Sequence, residues 1–235
     1  MQRLLGSLAL PLLLAAPAAV HAARPFVTDD ARLTTAGSCQ LEAWTRQYRN
    51  SQEYWALPAC NPTGNLELTL GGGITSLPGS RGWSDDYALQ AKTLFRTLET
   101  NGWGIGAAVG TIRHPQVNPG PNLLGNVYAY VPLSMSFADD LLIVHVNGGW
   151  LHDKATAKHQ GTWGLGTELN VDQNWTLITE SYGNTVDTPY WQAGFRYSVV
   201  PGLFQVDTTV GRQYGGSRDA RWLSFGIRYT PDKLF

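Results

Sequence analysis

Long apolar runs are missing from most of this chain. After the first two dozen residues no segment is apolar enough to cross a membrane as a helix of roughly 20 residues. Any membrane passage must therefore be made by strands. Charge is scarce too: Asp, Glu, Lys and Arg make up 15% of the 235 residues and nearly cancel, to a net −1. That removes the electrostatic case for a nucleic-acid partner. His114, His145, His152 and His159 show no metal-ligand spacing, and no histidine neighbours the two cysteines, so neither a metal nor a cofactor is expected. The glycine runs Gly71-Gly72-Gly73 and Gly102 to Gly110 precede no helix, which excludes a phosphate-binding fingerprint.

The N-terminus reads as an export signal. Arg3 supplies the positive region, Leu4 to Val20 the apolar one, and Val20-His21-Ala22 the small residues at a cleavage site, giving residues 1–22 as signal peptide. Cleavage leaves about 210 residues, consistent with one domain. An exported chain meets an oxidising compartment, so a Cys39–Cys60 disulfide is expected. Residues 23–36 alternate poorly and read as a periplasmic lead-in or a lumen insert.

From residue 37 to 235 the chain alternates almost without pause. Phe204, Val206, Thr208 and Val210 stand against Gln205, Asp207 and Thr209; Leu223, Phe225, Ile227 and Tyr229 stand against Ser224, Gly226 and Arg228. Period two with one apolar face is a strand signal. Twelve strands are expected, at about 37–49, 52–60, 64–75, 86–98, 102–112, 122–137, 140–151, 160–171, 175–184, 189–199, 202–212 and 220–231.

Short connections at 59–63, 99–101, 138–139, 172–174 and 200–201 alternate with generally longer ones, such as 76–85, 113–121 and 213–219. Short periplasmic turns facing longer outer loops are the pattern of a Gram-negative outer-membrane barrel. Trp103, Trp163, Trp175, Trp191, Tyr197 and Tyr229 fall near strand ends, where aromatic girdles sit at the lipid headgroups. A Phe at position 235, straight after an alternating strand, resembles the sorting signal read by the outer-membrane assembly machinery. The fold expected is all-β, a single up-and-down antiparallel transmembrane barrel whose partners are the lipid bilayer and that machinery.

If the apolar residues face lipid, the lumen collects Glu42, Glu67, Lys92, Arg96, His145, Asn147, Glu168, Asn170, Glu180, Gln192, Arg196, Gln205, Asp207 and Arg228. These mixed charges make either a closing salt-bridge network or a selective polar path. Asp29 and Asp30 of the lead-in could pair with lumen arginines such as Arg96 or Arg196. His145 and Asn147, with Ser134 and Ser136 on the preceding strand, are the only hint of hydrolytic chemistry. Val144 and Val146 turn His145 inward, away from lipid, so no enzyme is expected.

Arg24-Pro25-Phe26-Val27-Thr28-Asp29-Asp30, Gly37-Ser38 and Leu41-Glu42 resemble the opening of the outer-membrane family named for the meta-pathway of phenol degradation. Val144-His145-Val146-Asn147-Gly148-Gly149-Trp150, Glu180-Ser181-Tyr182-Gly183 and the run from Pro189 to Tyr197 are similar to later motifs of that family. The cysteine pair departs from it. The resemblance implies a transporter-like barrel for a small, apolar or aromatic molecule. The alternatives are a structural or partner-binding barrel, and a barrel-embedded lipid hydrolase.

Overall fold

A computed structural model describes residues 26–76, 82–115, 124–217 and 220–235. The expected signal peptide lies outside the described residues. Twelve strands form: β1 Ser38–Tyr48, β2 Gln52–Asn61, β3 Glu67–Ser76, β4 Trp83–Arg96, β5 Trp103–Arg113, β6 Asn126–Phe137, β7 Leu142–Asp153, β8 Lys158–Asn170, β9 Trp175–Asn184, β10 Tyr190–Val200, β11 Phe204–Gln213 and β12 Arg221–Tyr229. Each pairs antiparallel with the next in sequence, and β1 pairs antiparallel with β12, from Leu41 opposite Tyr229 to Tyr48 opposite Trp222. Closure satisfies the backbone of every strand and leaves no sheet edge.

The period-two pattern becomes two faces. Leu70, Tyr87, Leu89, Val109, Leu165, Leu177, Val210, Leu223, Phe225 and Ile227 are exposed on the outside. Glu67, Lys92, His145, Glu168, Glu180, Gln192, Arg196 and Arg228 are buried inside. This inverts the usual plan of a globular protein, in which charge faces water and apolar groups hide. The outer aromatics gather near the rims. Trp175 packs on Phe195 and Tyr197 near the short-turn end, with ring centroids 5.2 and 4.7 Å away. Tyr54 packs on Trp83 near the long-loop end, at 6.0 Å.

The short-turn rim is tied by side chains. Ala138, Asp139 and Asp140 all adopt positive φ, an arrangement that costs ordinary residues energy. Asn101 of the neighbouring turn bonds Asp139 at both its backbone and its carboxylate, 2.8 and 2.6 Å.

Cys39 and Cys60 stand directly opposite one another on β1 and β2 and are joined by a disulfide. Gly37, at φ +72°, turns the chain from the preceding segment into β1. Its carbonyl accepts the backbone N–H groups of Leu234 and Phe235, at 3.0 and 3.1 Å. A side chain here would be strained, and its Cβ would stand 2.9 Å from the Phe235 carbonyl oxygen.

Two details differ from the sequence expectation. Strands β7 and β8 run further than the spacing implied, so only residues 154–157 connect them, and His152 and His159 pair directly across the ladder. A bulge between Leu94 and Arg96 puts Phe95 and Arg96 on the same side of β4.

Candidate functional site

Residues 26–36 run inside the barrel, in the half nearer the short turns. Thr28, Asp30, Ala31, Arg32 and Thr34 are buried there. The segment joins no strand. It is held mostly by wall side chains that grip its backbone. Glu180 accepts the N–H groups of Val27 and Thr28, both at 2.8 Å. Ser134 Oγ accepts that of Ala31 at 2.8 Å, and Glu67 that of Thr34 at 2.7 Å. Asn61 donates to the Thr34 carbonyl at 2.7 Å. The Asn147 amide, oriented to suit its neighbours, brackets Asp29 by donating to its carbonyl at 2.8 Å and accepting its N–H at 2.6 Å. Such bonds replace those that a β-ladder would otherwise make.

Ion pairs add to this grip. Lys92 Nζ lies 2.8 Å from Asp29 and 3.4 Å from Asp30. Arg32 lies 3.4 Å from Glu168, which also meets Arg196 at 3.1 Å. Asp29 also accepts the Tyr130 hydroxyl at 2.5 Å. The backbone of β8 makes room: a Cβ on Gly164 would stand 2.4 Å from Thr28 Oγ1, and one on Gly166 would stand 3.1 Å from the Phe26 ring.

Glu42, Glu67, Lys92, His145, Asn147, Glu168, Asn170, Glu180, Gln192, Arg196, Gln205, Asp207 and Arg228 all lie on inward positions of their strands. Arg96 does not. The bulge carries it to the outer face, opposite Ile105, with its guanidinium 4.3 Å from the centroid of the Trp103 ring. Asp29 and Asp30 accordingly meet Lys92, not Arg96. Gln90, Tyr130 and Asn61 also touch the segment or its partners and were not singled out from the sequence, and Ser134, considered there only for hydrolytic chemistry, binds the segment's backbone. They share the inward alternation of Lys92, Ser136 and Ala59, a signal that was available.

Two cavities lie in this half of the barrel, and the second borders the segment. One, of about 730 Å³, opens at the short-turn rim and is bordered by Asp139, Asp172, Arg196, Gln205 and Arg228. The other, of about 190 Å³, runs between the segment and the wall of β1–β4, beside Glu42, Glu67, Lys92 and Arg228. Arg228 borders both, so it stands where they approach each other.

Ser134, His145 and Glu168 form a row that superficially suggests a catalytic triad. Ser134 Oγ lies 2.8 Å from His145 Nδ1. His145 Nε2 stands 3.7 Å from Glu168, beyond hydrogen-bond reach, and Ser134 already accepts the Ala31 amide. All three are fully buried beneath the segment. A nucleophile needs an oriented base and an approach for substrate. This row has neither, and it serves to seat the segment.

The chain belongs to the family described as uncharacterised conserved protein UCP029691, which matches residues 10–230. No curated protein matches it by sequence. Among solved structures it is similar to the KdgM porin, at 9% identity and TM-score 0.61, covering 82% of this chain and 99% of that one. The KdgM porin in complex with disordered oligogalacturonate aligns at 10% identity and TM-score 0.58, covering 82% and 99%. The NanC porin aligns at 11% identity and TM-score 0.56, covering 82% and 98%. The outer membrane phospholipase A of Escherichia coli aligns at 13% identity and TM-score 0.52, covering 92% and 95%. At these identities the likeness is one of fold: a closed antiparallel barrel shared with outer-membrane porins.

Proposed function

We propose that this barrel sits in the outer membrane of a Gram-negative cell, short turns towards the periplasm, and passes a small solute through a lumen stoppered by residues 26–36. Export behind a signal peptide and delivery to the outer-membrane assembly machinery belong to the same reading. The apolar outer wall with aromatic rims supports the membrane placement. The observation that carries the transport reading is the way the inner segment is held. It is bound by side chains as a ligand would be, with a polar gap of about 190 Å³ beside it, and is not woven into the sheet.

For the solute, the resemblance to the phenol meta-pathway family favours an aromatic compound, and the oligogalacturonate named with the KdgM porin favours a sugar acid. Both are ring compounds. A barrel that only binds partners or stiffens the membrane is the second reading, favoured by the ion pairs that fill the lower lumen.

The first experiment is a heat-modifiability gel on purified outer membranes, in which a folded barrel shifts on boiling. Planar-bilayer recording then compares the full chain with a variant lacking residues 24–36. Higher conductance in the deletion supports a stoppered pore. Equal conductance from a folded deletion variant overturns it and leaves the structural reading.

A further inference from the structure

The half of the lumen nearer the long loops is walled by rings. Trp44, Tyr48, Trp55, Tyr182, Tyr190 and Trp222 occupy inward positions from β9 round to β2. Trp44 and Trp55 face each other across β1–β2, with centroids 5.7 Å apart and planes 11° from parallel. Tyr182 and Tyr190 do the same across β9–β10, at 5.7 Å and 16°. Trp222 joins the two sets, 5.9 Å from Tyr48 and 6.0 Å from Tyr190.

Rings of this size could fill a barrel of this width, and glycines prevent that. A Cβ on Gly73 would stand 2.5 and 2.7 Å from Cδ2 and Cε2 of Trp55. Those two atoms form the fusion bond at the centre of the indole, which can be approached this closely only over its face. Trp55 therefore lies flat on the wall above Gly73, and its other face turns away from that wall. Gly211 does the same for Trp222, with a Cβ 2.3 Å from the ring. A ring laid on the wall takes less of the lumen's width than one that projects into it, and Trp44, Tyr48, Trp55, Tyr182 and Tyr190 all remain partly exposed.

Arg46 stands among these rings, its guanidinium 5.0 Å from the Trp222 centroid. Glu53 is 3.7 Å away, an ion pair without a hydrogen bond, and the Tyr48 hydroxyl is 3.4 Å away. Two buried donors, Arg46 Nε and the indole Nε1 of Trp222, find no acceptor among the described residues. Trp222 is only 4% exposed. Burying an N–H without an acceptor is costly, so neighbouring orphan donors point to an acceptor that arrives with a ligand.

We infer that this chamber binds a small cyclic carboxylate, its ring stacked on the Trp and Tyr faces and its carboxylate taken by Arg46 and Trp222. The inference rests on reading the lumen as a solute path and names the class of solute. An aromatic acid offers a π face and a sugar acid a face of C–H groups. Both stack on an indole and both carry the anion.

The test is calorimetric titration of the refolded full chain with benzoate and with galacturonate, each beside its uncharged match, benzyl alcohol and galactose. At least one acid is expected to bind saturably and at least ten-fold more tightly than its match. The tighter acid identifies the source. Arg46→Gln is expected to abolish the preference for acid while leaving the neutral match unchanged. Trp222→Phe, which keeps a ring and removes the N–H, is expected to weaken the acid alone. The gel shift on boiling verifies that each variant is folded. No saturable binding of either acid, equal binding of acid and neutral match, or an unaltered preference in folded Arg46→Gln overturns the inference. Calorimetry reads binding whether or not the barrel conducts. A barrel that binds acid but shows no conductance change on deletion of residues 24–36 fails the transport reading alone; one that conducts but binds neither acid fails this inference alone.

Discussion

Glu180 is where the inner segment is most open to a controlled perturbation. Its carboxylate accepts two backbone N–H groups, from Val27 and Thr28, each at 2.8 Å, and also the side-chain amide of Gln192. A hydrogen bond to a charged acceptor is worth about 1.5–3 kcal/mol net. Val27 is half exposed and its N–H can turn to water, so the lower figure applies to its bond, and it is the minimum for the bond of the buried Thr28. Glu180→Ala then removes about 3 kcal/mol from the seated state. At about 1.4 kcal/mol per decade, the unseated population rises about a hundred-fold. Glu180→Gln keeps one acceptor oxygen and is expected to fall between, near ten-fold. Single-channel recording reads the fraction of time spent at the conductance of the variant lacking residues 24–36, which serves as the open reference. An open fraction for Glu180→Ala equal to that of the unaltered chain, while the deletion conducts more, would refute the claim that these bonds seat the segment. So would a Glu180→Gln variant that opens as fully as the alanine.

Three further outcomes are expected. Gly164→Val places a Cβ 2.4 Å from Thr28 Oγ1, so it should unseat the segment and raise conductance without loss of the gel shift. Leu70, 67% exposed on the outer wall, should tolerate charge poorly: Leu70→Lys is expected to cost about 2–4 kcal/mol in urea titrations of the vesicle-embedded barrel. The Cys39–Cys60 bond closes a loop with a sequence separation of 21, and the double serine variant should lose about 3 kcal/mol by the same assay under oxidising conditions.

The strand pattern was legible because a closed barrel with an apolar outside and a polar inside sorts residues by polarity at every second position, as Leu223 to Arg228 show. The same rule misleads where polarity and direction part. Trp44, Trp55 and Trp222 are apolar yet face inward, and glycines on neighbouring strands let the rings of Trp55 and Trp222 lie on the lumen wall. Their inward position follows only from counting along from Glu42 or Arg228, not from hydropathy. Arg96 erred the other way. A bulge adds one residue, and a single added residue reverses every face beyond it. The grip on residues 26–36 could not be read in advance. Backbone N–H groups carry no sequence signature, and Glu180, Ser134 and Glu67 come together only when β3, β6 and β9 surround the same volume.

The Gly37 carbonyl has a consequence for how the molecule is put together. It marks the point where the inner segment becomes wall, and the groups that clasp it, the amides of Leu234 and Phe235, are nearly two hundred residues downstream. On a half-assembled sheet that carbonyl has nothing to hold it, and β1 has no β12 beside it. The clasp at Gly37 is therefore completed only as the ring closes, when β12 reaches β1 and brings the last two amides with it.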